Sequence, residues 1–270
     1  MSDILVVFRE PEFSPGRIED DSAILERTAE SLARRGLGVR SATADDLVTA
    51  TPRAVLAMCQ SAQALAALDG HVDTVPIVNS PRAIRNCFRS ETVRLLRERG
   101  LPFPRTHMVD TQDSTRPDAA PCWVKRGDVH ATDPRDVAFA SDRADMLRTL
   151  SAFADRGIRR AALQQHVEGV VVKFYGIVDG RFFRAYVERD QPPTSIPALY
   201  NLARAGAAAL GLEVFGGDCV VTPQGDPVLI DVNDWPSFGR CRDEAAEAIA
   251  GYLQDRISEG VHMGMTPHAG

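Results

Sequence analysis

The segment from Gly216 to Phe238, GGDCVVTPQGDPVLIDVNDWPSF, constrains this chain most, because it predicts a β-hairpin with an acidic residue on each strand. A turn at 223–226 separates two short apolar strands. Asp218 precedes the first strand and Asp231 follows the second, so antiparallel pairing should bring both carboxylates to one end of the hairpin. Asn233 lies two residues beyond Asp231, and the two-residue period of a strand places it on the same face.

Two carboxylates and an amide oxygen form an oxygen-only cluster. This is the ligand type that Mg²⁺ takes alongside substrate phosphates. A polar loop that merely closes a hairpin would contain the same residue types. The choice between the two interpretations therefore depends on the rest of the chain.

Composition narrows the classes of partner. Of the 270 residues, 44% are hydrophobic and 25% charged, which is typical of a soluble globular protein. A net charge of −6 argues against nucleic acid or an anionic membrane as partner. The five scattered cysteines indicate reduced thiols, and no basic segment followed by a long apolar one opens the chain. These features predict a cytoplasmic protein. Nothing in the sequence indicates its oligomeric state.

Lysine usage is unusual. The chain has 31 basic residues, of which 29 are arginine and only two, Lys125 and Lys173, are lysine. Codon bias accounts for a preference for arginine. The two lysines also fit positions that need a compact ammonium group and cannot take a planar guanidinium.

The first 79 residues predict a small α/β domain. Apolar strands at 4–8, 38–42, 54–58 and 75–78 alternate with helices, the first of which should begin at Asp21 or Ser22 and the second at Ser61. The alternation favours a parallel sheet. No glycine-rich phosphate-binding motif follows the first strand, so nucleotide phosphates should bind elsewhere.

Two further α+β lobes follow. Residues 80–167 predict two helices, beginning at Ser80-Pro81 and ending at Gly100, and then a small lobe of two strands, a helix and a third strand. Residues 168–257 predict a second lobe with the hairpin and a last helix. Residues 258–270, rich in Gly, His and Met, predict a disordered tail.

The order of these motifs resembles the ATP-grasp superfamily. Lys125 lies on a strand of the first lobe, and Gln-x-x-Val-x-Gly follows at 164–169. Lys173 comes next, then Gly-Leu-x₅-Asp ending at Asp218 and Asp-x-Asn-x-x-Pro starting at Asp231. The resemblance covers residues 79–253, with residues 4–78 similar to the domain that usually precedes them. Each motif alone is weak, but four in this order agree with one another.

The resemblance implies an α/β protein of ATP-grasp fold, with ATP between two α+β lobes. Lys125 would meet the α- and β-phosphates, Arg89 would replace a second phosphate-binding lysine, and Lys173 matches a further basic position. The adenine and ribose would lie against a hinge between the lobes. Its residues are Gln164, Gln165, His166, Val167 and Glu168. Asp218, Asp231 and Asn233 match the ligands of one or two Mg²⁺ ions, with Mn²⁺ as an alternative metal.

Two residues match catalytic positions. Arg184 follows Gly180 where many members place an arginine over the transferred phosphoryl group. His130 lies in the loop after Lys125 and would contact the γ-phosphate or the acceptor, although a loop histidine also fits a role without chemistry. That loop, residues 126–134, has one glycine where many members are rich in Gly and Ser, so it should close over phosphate differently.

Three functions follow from the resemblance. The first is a ligase that activates a carboxylate as an acyl phosphate for attack by an amine or thiol of a small molecule or peptide. The second is a small-molecule kinase, because Asp231–Phe238 is similar to a segment of the inositol polyphosphate kinase branch. The third is a nucleotide-binding protein with little catalysis. The acceptor itself has no readable motif.

Overall fold

The protein is described by a computed structural model, which covers residues 3–113, 117, 119–128, 133–187 and 196–263. It confirms the ATP-grasp architecture expected from the sequence, with one parallel and two antiparallel sheets. Each sheet has four strands. Among the described residues, none of the helices combines the length and apolar composition that a membrane-spanning helix requires.

The N-terminal part contains four strands and three helices. They are β1 (Ile4–Val7), α1 (Ile18–Arg34), β2 (Val39–Ser41), α2 (Ala44–Thr49), β3 (Ala54–Ala57), α3 (Ala62–Asp69) and β4 (Ile77–Val78). The strands are ordered β2-β1-β3-β4 and all pair in parallel, as the alternation of strands and helices predicted. We call this the N-terminal sheet. All four residues of β1 and of β3 are buried, as expected for the centre of a parallel sheet with helices on both faces.

Two helices lead into a small antiparallel sheet. They are α4 (Pro81–Asn86), capped by Ser80 as predicted, and α5 (Arg89–Glu98). The elements that follow are β5 (Thr106–Asp110), β6 (Cys122–Arg126), β7 (Val137–Ala140), α6 (Arg143–Asp155) and β8 (Arg160–Gln165). The strand order is β5-β8-β6-β7, and we call this the small sheet.

The remaining elements form the second antiparallel sheet and the last helix. They are β9 (Val170–Ile177), β10 (Phe183–Val187), α7 (Ile196–Leu210), β11 (Val214–Val221), β12 (Pro227–Asp234) and α8 (Arg242–Met263). The strand order is β10-β9-β11-β12, and we call this the large sheet.

Several expected boundaries differ from the structure. Helix α1 begins at Ile18, one turn before the predicted caps at Asp21 or Ser22, and its first turn carries three acidic residues that favour a helix N-terminus. Helix α2 was not predicted, although Thr43 and Asp46 form a capping box. Strand β5 was also missed. Helix α8 continues to Met263, past residue 258, where the predicted tail begins, and residues 264–270 lie outside the described part.

The buried side chains form separate clusters. One large cluster joins the N-terminal sheet to the large sheet: Ile24 and Leu32 of α1 pack in the same core as Tyr175 of β9 and Leu253 of α8. A different cluster, under the small sheet, consists entirely of residues between 109 and 163. The N-terminal and large sheets therefore form one body, and the small sheet has its own core. All five cysteines are buried as free thiols.

Candidate nucleotide and metal site

The register of the large sheet sets charged residues in a row across three strands. Asp218 of β11 lies opposite Asp231 of β12 on one side and opposite Lys173 of β9 on the other. Directly opposed residues of antiparallel strands project from the same face. The predicted meeting of the two carboxylates is therefore confirmed. They meet within the sheet and not at a hairpin end, because both strands are longer than the apolar residues alone predicted.

Cations accompany both carboxylates. Lys173 Nζ lies 2.9 Å from Asp218 Oδ1, and Arg89 Nη1 donates to Asp231 Oδ1 at 3.0 Å. Like charges placed directly opposite each other destabilise a strand pair, so these cations offset the repulsion between the aspartates. Asn233 Nδ2 donates to Asp231 Oδ2 at 3.2 Å, which agrees with the prediction that Asn233 shares the face of Asp231.

The donor set fits Mg²⁺. No group of three or more His, Cys, Asp or Glu side chains in the described part of the chain is placed to hold a metal alone. Asp218, Asp231 and Asn233 supply only oxygen ligands, and two carboxylates are few enough that phosphate oxygens and water must complete the shell. Mg²⁺ is usually bound in this way, by one or two carboxylates together with substrate phosphates.

The small sheet contributes the other wall. Trp123 and Lys125 are two positions apart on β6, so they project from the same face of the strand, and both line the cavity. Lys125 Nζ donates to the carbonyl oxygen of Ile230 at 3.1 Å, and Gln164 Nε2 donates to the same oxygen at 3.3 Å. Ile230 directly precedes Asp231, so Lys125 lies beside the carboxylates of Asp218 and Asp231.

Burial shifts the pKa values of these groups. It lowers the pKa of Lys125 to about 8, and the neighbouring Arg89 charge acts in the same direction. Burial also raises the pKa of Asp218, against the attraction of Lys173. For Lys173 burial acts to lower the pKa, but the charge and hydrogen bond of Asp218 outweigh it and the pKa is raised. Lys125 is thus the cation of the site whose charge changes near neutral pH.

These groups line one cavity of about 870 Å³ between the small and large sheets. Its size lies within the range of small-molecule sites. Ten of the residues predicted from the sequence line it: Arg89, Lys125, Gln164, Gln165, His166, Val167, Lys173, Asp218, Asp231 and Asn233. At the hinge end, Trp123 Nε1 lies 3.2 Å from His166 Nδ1, and both rings border the cavity.

Three predicted residues are not placed in the cavity lining. Glu168 is exposed beside the cavity, next to Gly169, which lines it. Arg184 lies opposite Tyr175 in the large sheet and therefore on its cavity face, but it forms an ion pair with Glu244 and lies 5.1 Å above the ring of Phe182. His130 lies outside the described residues.

Sequence analysis missed the wall that the N-terminal part supplies. Its polar members are Arg9, Ser14, Arg17 and Asp21. These residues follow the end of β1, and ligands of open parallel sheets bind beyond the carboxyl ends of the strands. That rule could have identified the segment, whereas its composition could not.

Solved structures match almost the whole chain, and they define its class: the chain has the ATP-grasp fold. In particular, it is similar to D-alanine–D-alanine ligase from Bacillus anthracis, with a TM-score of 0.71 and 14% identity over 97% of this chain and 98% of that one. For the same enzyme from Coxiella burnetii the TM-score is 0.74, at 12% identity over 98% and 97% of the two chains.

A third similar structure is the ATP-grasp ligase PsnB, complexed with precursor peptide PsnA2 and AMPPNP. Its TM-score is 0.65, at 19% identity over 95% of this chain and 97% of that one. Family models and curated protein sequences gave no match. The likeness is one of fold.

Proposed function

We propose that this protein is an ATP- and Mg²⁺-dependent ligase that activates a carboxylate as an acyl phosphate for attack by an amine or thiol. The observation that carries the proposal is the convergence of three cations, Lys125, Arg89 and Lys173, on the Asp218–Asp231 pair in one cavity. The fold shared with ligases that act on small molecules or bind a precursor peptide supports the same class.

The cations bind and orient the triphosphate. Lys125 and Arg89 are almost fully buried, with exposed fractions of 7% for each residue, so their charges act in a medium of low dielectric constant. The adenine would be held at the other end of the cavity by the strand end at 164–167 and the ring of Trp123. Trp123 takes a role in nucleotide binding that the sequence did not indicate.

Asp218, Asp231 and Asn233 would hold the metal, which neutralises charge on the β- and γ-phosphates during transfer. In the first step a carboxylate oxygen of the substrate forms a bond to the γ-phosphorus, the bond between that phosphorus and the β–γ bridging oxygen breaks, and ADP leaves. In the second step the amine attacks the acyl carbon, phosphate leaves, and the amine loses its proton.

The test uses Asp231→Asn with Asp226→Asn as matched control. Asp226 lies exposed at the turn of the same hairpin and outside the cavity lining. We expect AMPPNP to raise the thermal midpoint of wild type and control only when Mg²⁺ is present, by mass action. The shift should be lost in Asp231→Asn. An unchanged shift in that variant would contradict the metal assignment.

A second measurement identifies the reaction. With a panel of carboxylic acids and hydroxylamine, a ligase releases phosphate and forms a hydroxamate, because hydroxylamine captures the acyl phosphate. A small-molecule kinase instead leaves a stable phosphorylated product. A protein that binds ATP without turnover under all these conditions would fit the third function considered from the sequence.

A further inference from the structure

The cavity continues beyond the Asp218–Asp231 pair into a compartment lined by other parts of the chain. Its walls are residues 9–21, after β1, and residues 235–239, after β12. Arg9 contacts the chain at Asp234, three residues after Asp231, and three residues of extended strand span about 10 Å. The compartment is therefore close enough to Asp231 for a single substrate to contact both the compartment and the γ-phosphate. We call it the distal compartment.

Arg9 is held in the distal compartment by contacts of both its terminal nitrogens. Its Nη2 donates to the carbonyl oxygens of Asp234 at 3.4 Å and Trp235 at 3.2 Å, and its Nη1 lies 3.5 Å from Asp21 Oδ2. Asp21 Oδ2 is held in turn by the hydroxyl of Ser14 at 2.9 Å. The guanidinium plane is therefore fixed before any substrate binds.

One donor of Arg9 is not satisfied by the described residues. The Nε–H group is buried and has no hydrogen-bond partner, although the side chain as a whole borders the cavity and is 13% exposed. Buried guanidinium donors left without an acceptor are unfavourable, and most buried polar groups in proteins are paired. Because Nε itself is buried, an anion in the distal compartment would act on the guanidinium through the exposed part of the side chain.

The accessible charges of the distal compartment favour an anion. Arg9 and Arg17 share one carboxylate, Asp21, at 3.5 and 3.8 Å, and the Arg17 side chain is 63% exposed and free to move toward a ligand. The nearby carboxylate of Asp234 accepts a hydrogen bond from Gln60 Nε2 at 3.4 Å and is 1% exposed, so it is not itself open to a ligand in the distal compartment.

The remaining wall is apolar and short. It is formed by Phe13, Pro15, Trp235 and Pro236, with Ser237 and Gly239 at the margin. Such a lining suits a short carbon chain between two polar ends. One end would meet the phosphates and the other would meet Arg9.

We propose that Arg9, assisted by Arg17, binds a second, non-reacting carboxylate of the substrate and so sets its length and orientation. Arginine is suited to this task because its planar donors match a carboxylate in bidentate geometry. The carboxylate comes from one of two sources, a dicarboxylic acid that is phosphorylated at its other end or an amino acid that supplies the amine. The inference rests on the proposed function.

The experiment measures binding of defined probes to the full-length protein saturated with Mg²⁺ and AMPPNP. In one arm the probes are succinate and glutarate against their monoamides. In the other they are L-alanine and L-serine against their amides. We expect an acid in one arm to raise the thermal midpoint and its amide to have no effect, which identifies the source. The substitution Arg9→Gln should weaken the binding of that acid about tenfold.

Further variants keep the inference testable if Arg9→Gln does not fold. Arg17→Gln alters an exposed side chain and should weaken the binding of the acid by a smaller factor. Asp21→Asn removes the competing carboxylate and should strengthen the binding of the acid. Arg94→Gln, on the exposed face of α5 and paired with Glu91 and Glu98, is the control and should bind the acid as wild type does.

Three results would overturn the assignment of Arg9. They are the absence of binding by every acid, equal binding of acids and amides, and acid binding by Arg9→Gln equal to wild type. Nucleotide binding is measured first on the same samples. If wild type does not bind Mg²⁺–AMPPNP, the proposed function fails, and the same titrations without nucleotide still test Arg9.

Discussion

At the scale of single residues, Lys125 links the site to solution pH. Burial lowers its pKa to about 8, so the nucleotide-free protein loses this positive charge as the pH rises through that value. Phosphate oxygens favour the ammonium form and raise its pKa when they bind. If the proposed function is correct, ATP binding should be coupled to proton uptake near pH 8, and the affinity should fall as the pH rises further.

This coupling can be measured by calorimetry in buffers of different ionisation enthalpy. We expect uptake of a fraction of one proton around pH 8 and none near pH 6, where Lys125 is already charged. Lys125→Arg keeps the charge at every pH, because arginine does not titrate in this range, and should abolish the uptake. Unchanged uptake in that variant would assign the proton to another group.

At the same scale, sequence analysis predicted ten of the residues that line the cavity, but not those of the distal compartment. Both lysines and all three metal-ligand candidates line one cavity because their strands pair in one register. Arg9 lies in a wall of the same cavity because of contacts with residues more than 200 positions away. No local pattern encodes such a contact.

At the scale of elements, β11 depends on a glycine beside the paired residues Asp218 and Asp231. A Cβ atom on Gly217 would meet the carbonyl oxygen of Asp231 and approach Phe174 Cζ to 2.8 Å. Backbone of the neighbouring strand cannot move away without breaking the pairing that aligns Asp218 with Asp231. Close approach of two chains explains why this strand position is glycine.

Gly217→Ala should lower the free energy of unfolding by about 1–3 kcal/mol, the usual cost of overpacking. The measurement is urea unfolding followed by circular dichroism. Gly70→Ala is the matched control, since Gly70 has an αR backbone and its nearest neighbour would be 3.4 Å away. The control should change stability by less than about 0.5 kcal/mol. Equal effects of the two substitutions would contradict the packing argument.

The element boundaries also show what local patterns can predict. The ends of α4 and α5 were predicted well, because Ser80, Pro81 and Gly100 act through their own backbone. The hairpin strands were predicted too short, because Asp218 and Asp231 were taken as the ends of the hairpin. These polar residues continue the strands, since the pairing across β11 satisfies their backbone. Register depends on tertiary pairing and overrides the polarity of single positions.

At the scale of the whole molecule, the N-terminal sheet depends on the large sheet for its core. Ile24, Leu25 and Leu32 of α1 are fully buried, in a cluster that includes Ile249 and Leu253 of α8. Separation of the two parts would expose these side chains. Burial of each side chain contributes about 1.5–3 kcal/mol to the free energy of unfolding, and the sum is comparable with the whole stability of a small domain.

A fragment of residues 1–79 should therefore show no cooperative thermal transition, whereas the full chain should. Circular dichroism and the dispersion of amide NMR signals distinguish the two states. A fragment with a sharp transition and dispersed signals would contradict the shared core. The alternation of strands and helices predicted the parallel sheet correctly, but the sequence carries no signal that its outer helix packs against a helix more than 200 residues later.

The separate core of the small sheet has a thermodynamic consequence. Polar contacts span from this sheet to the rest of the protein, among them the bonds from Lys125 and Gln164 to Ile230 and from Arg89 to Arg126. Moving the small sheet away breaks such contacts but leaves its apolar cluster intact. Heat capacity changes follow exposed apolar surface, so this opening should have a small one. The enthalpy of opening should then change little with temperature, and because cations take part in these contacts, the balance of open and closed forms should depend on ionic strength.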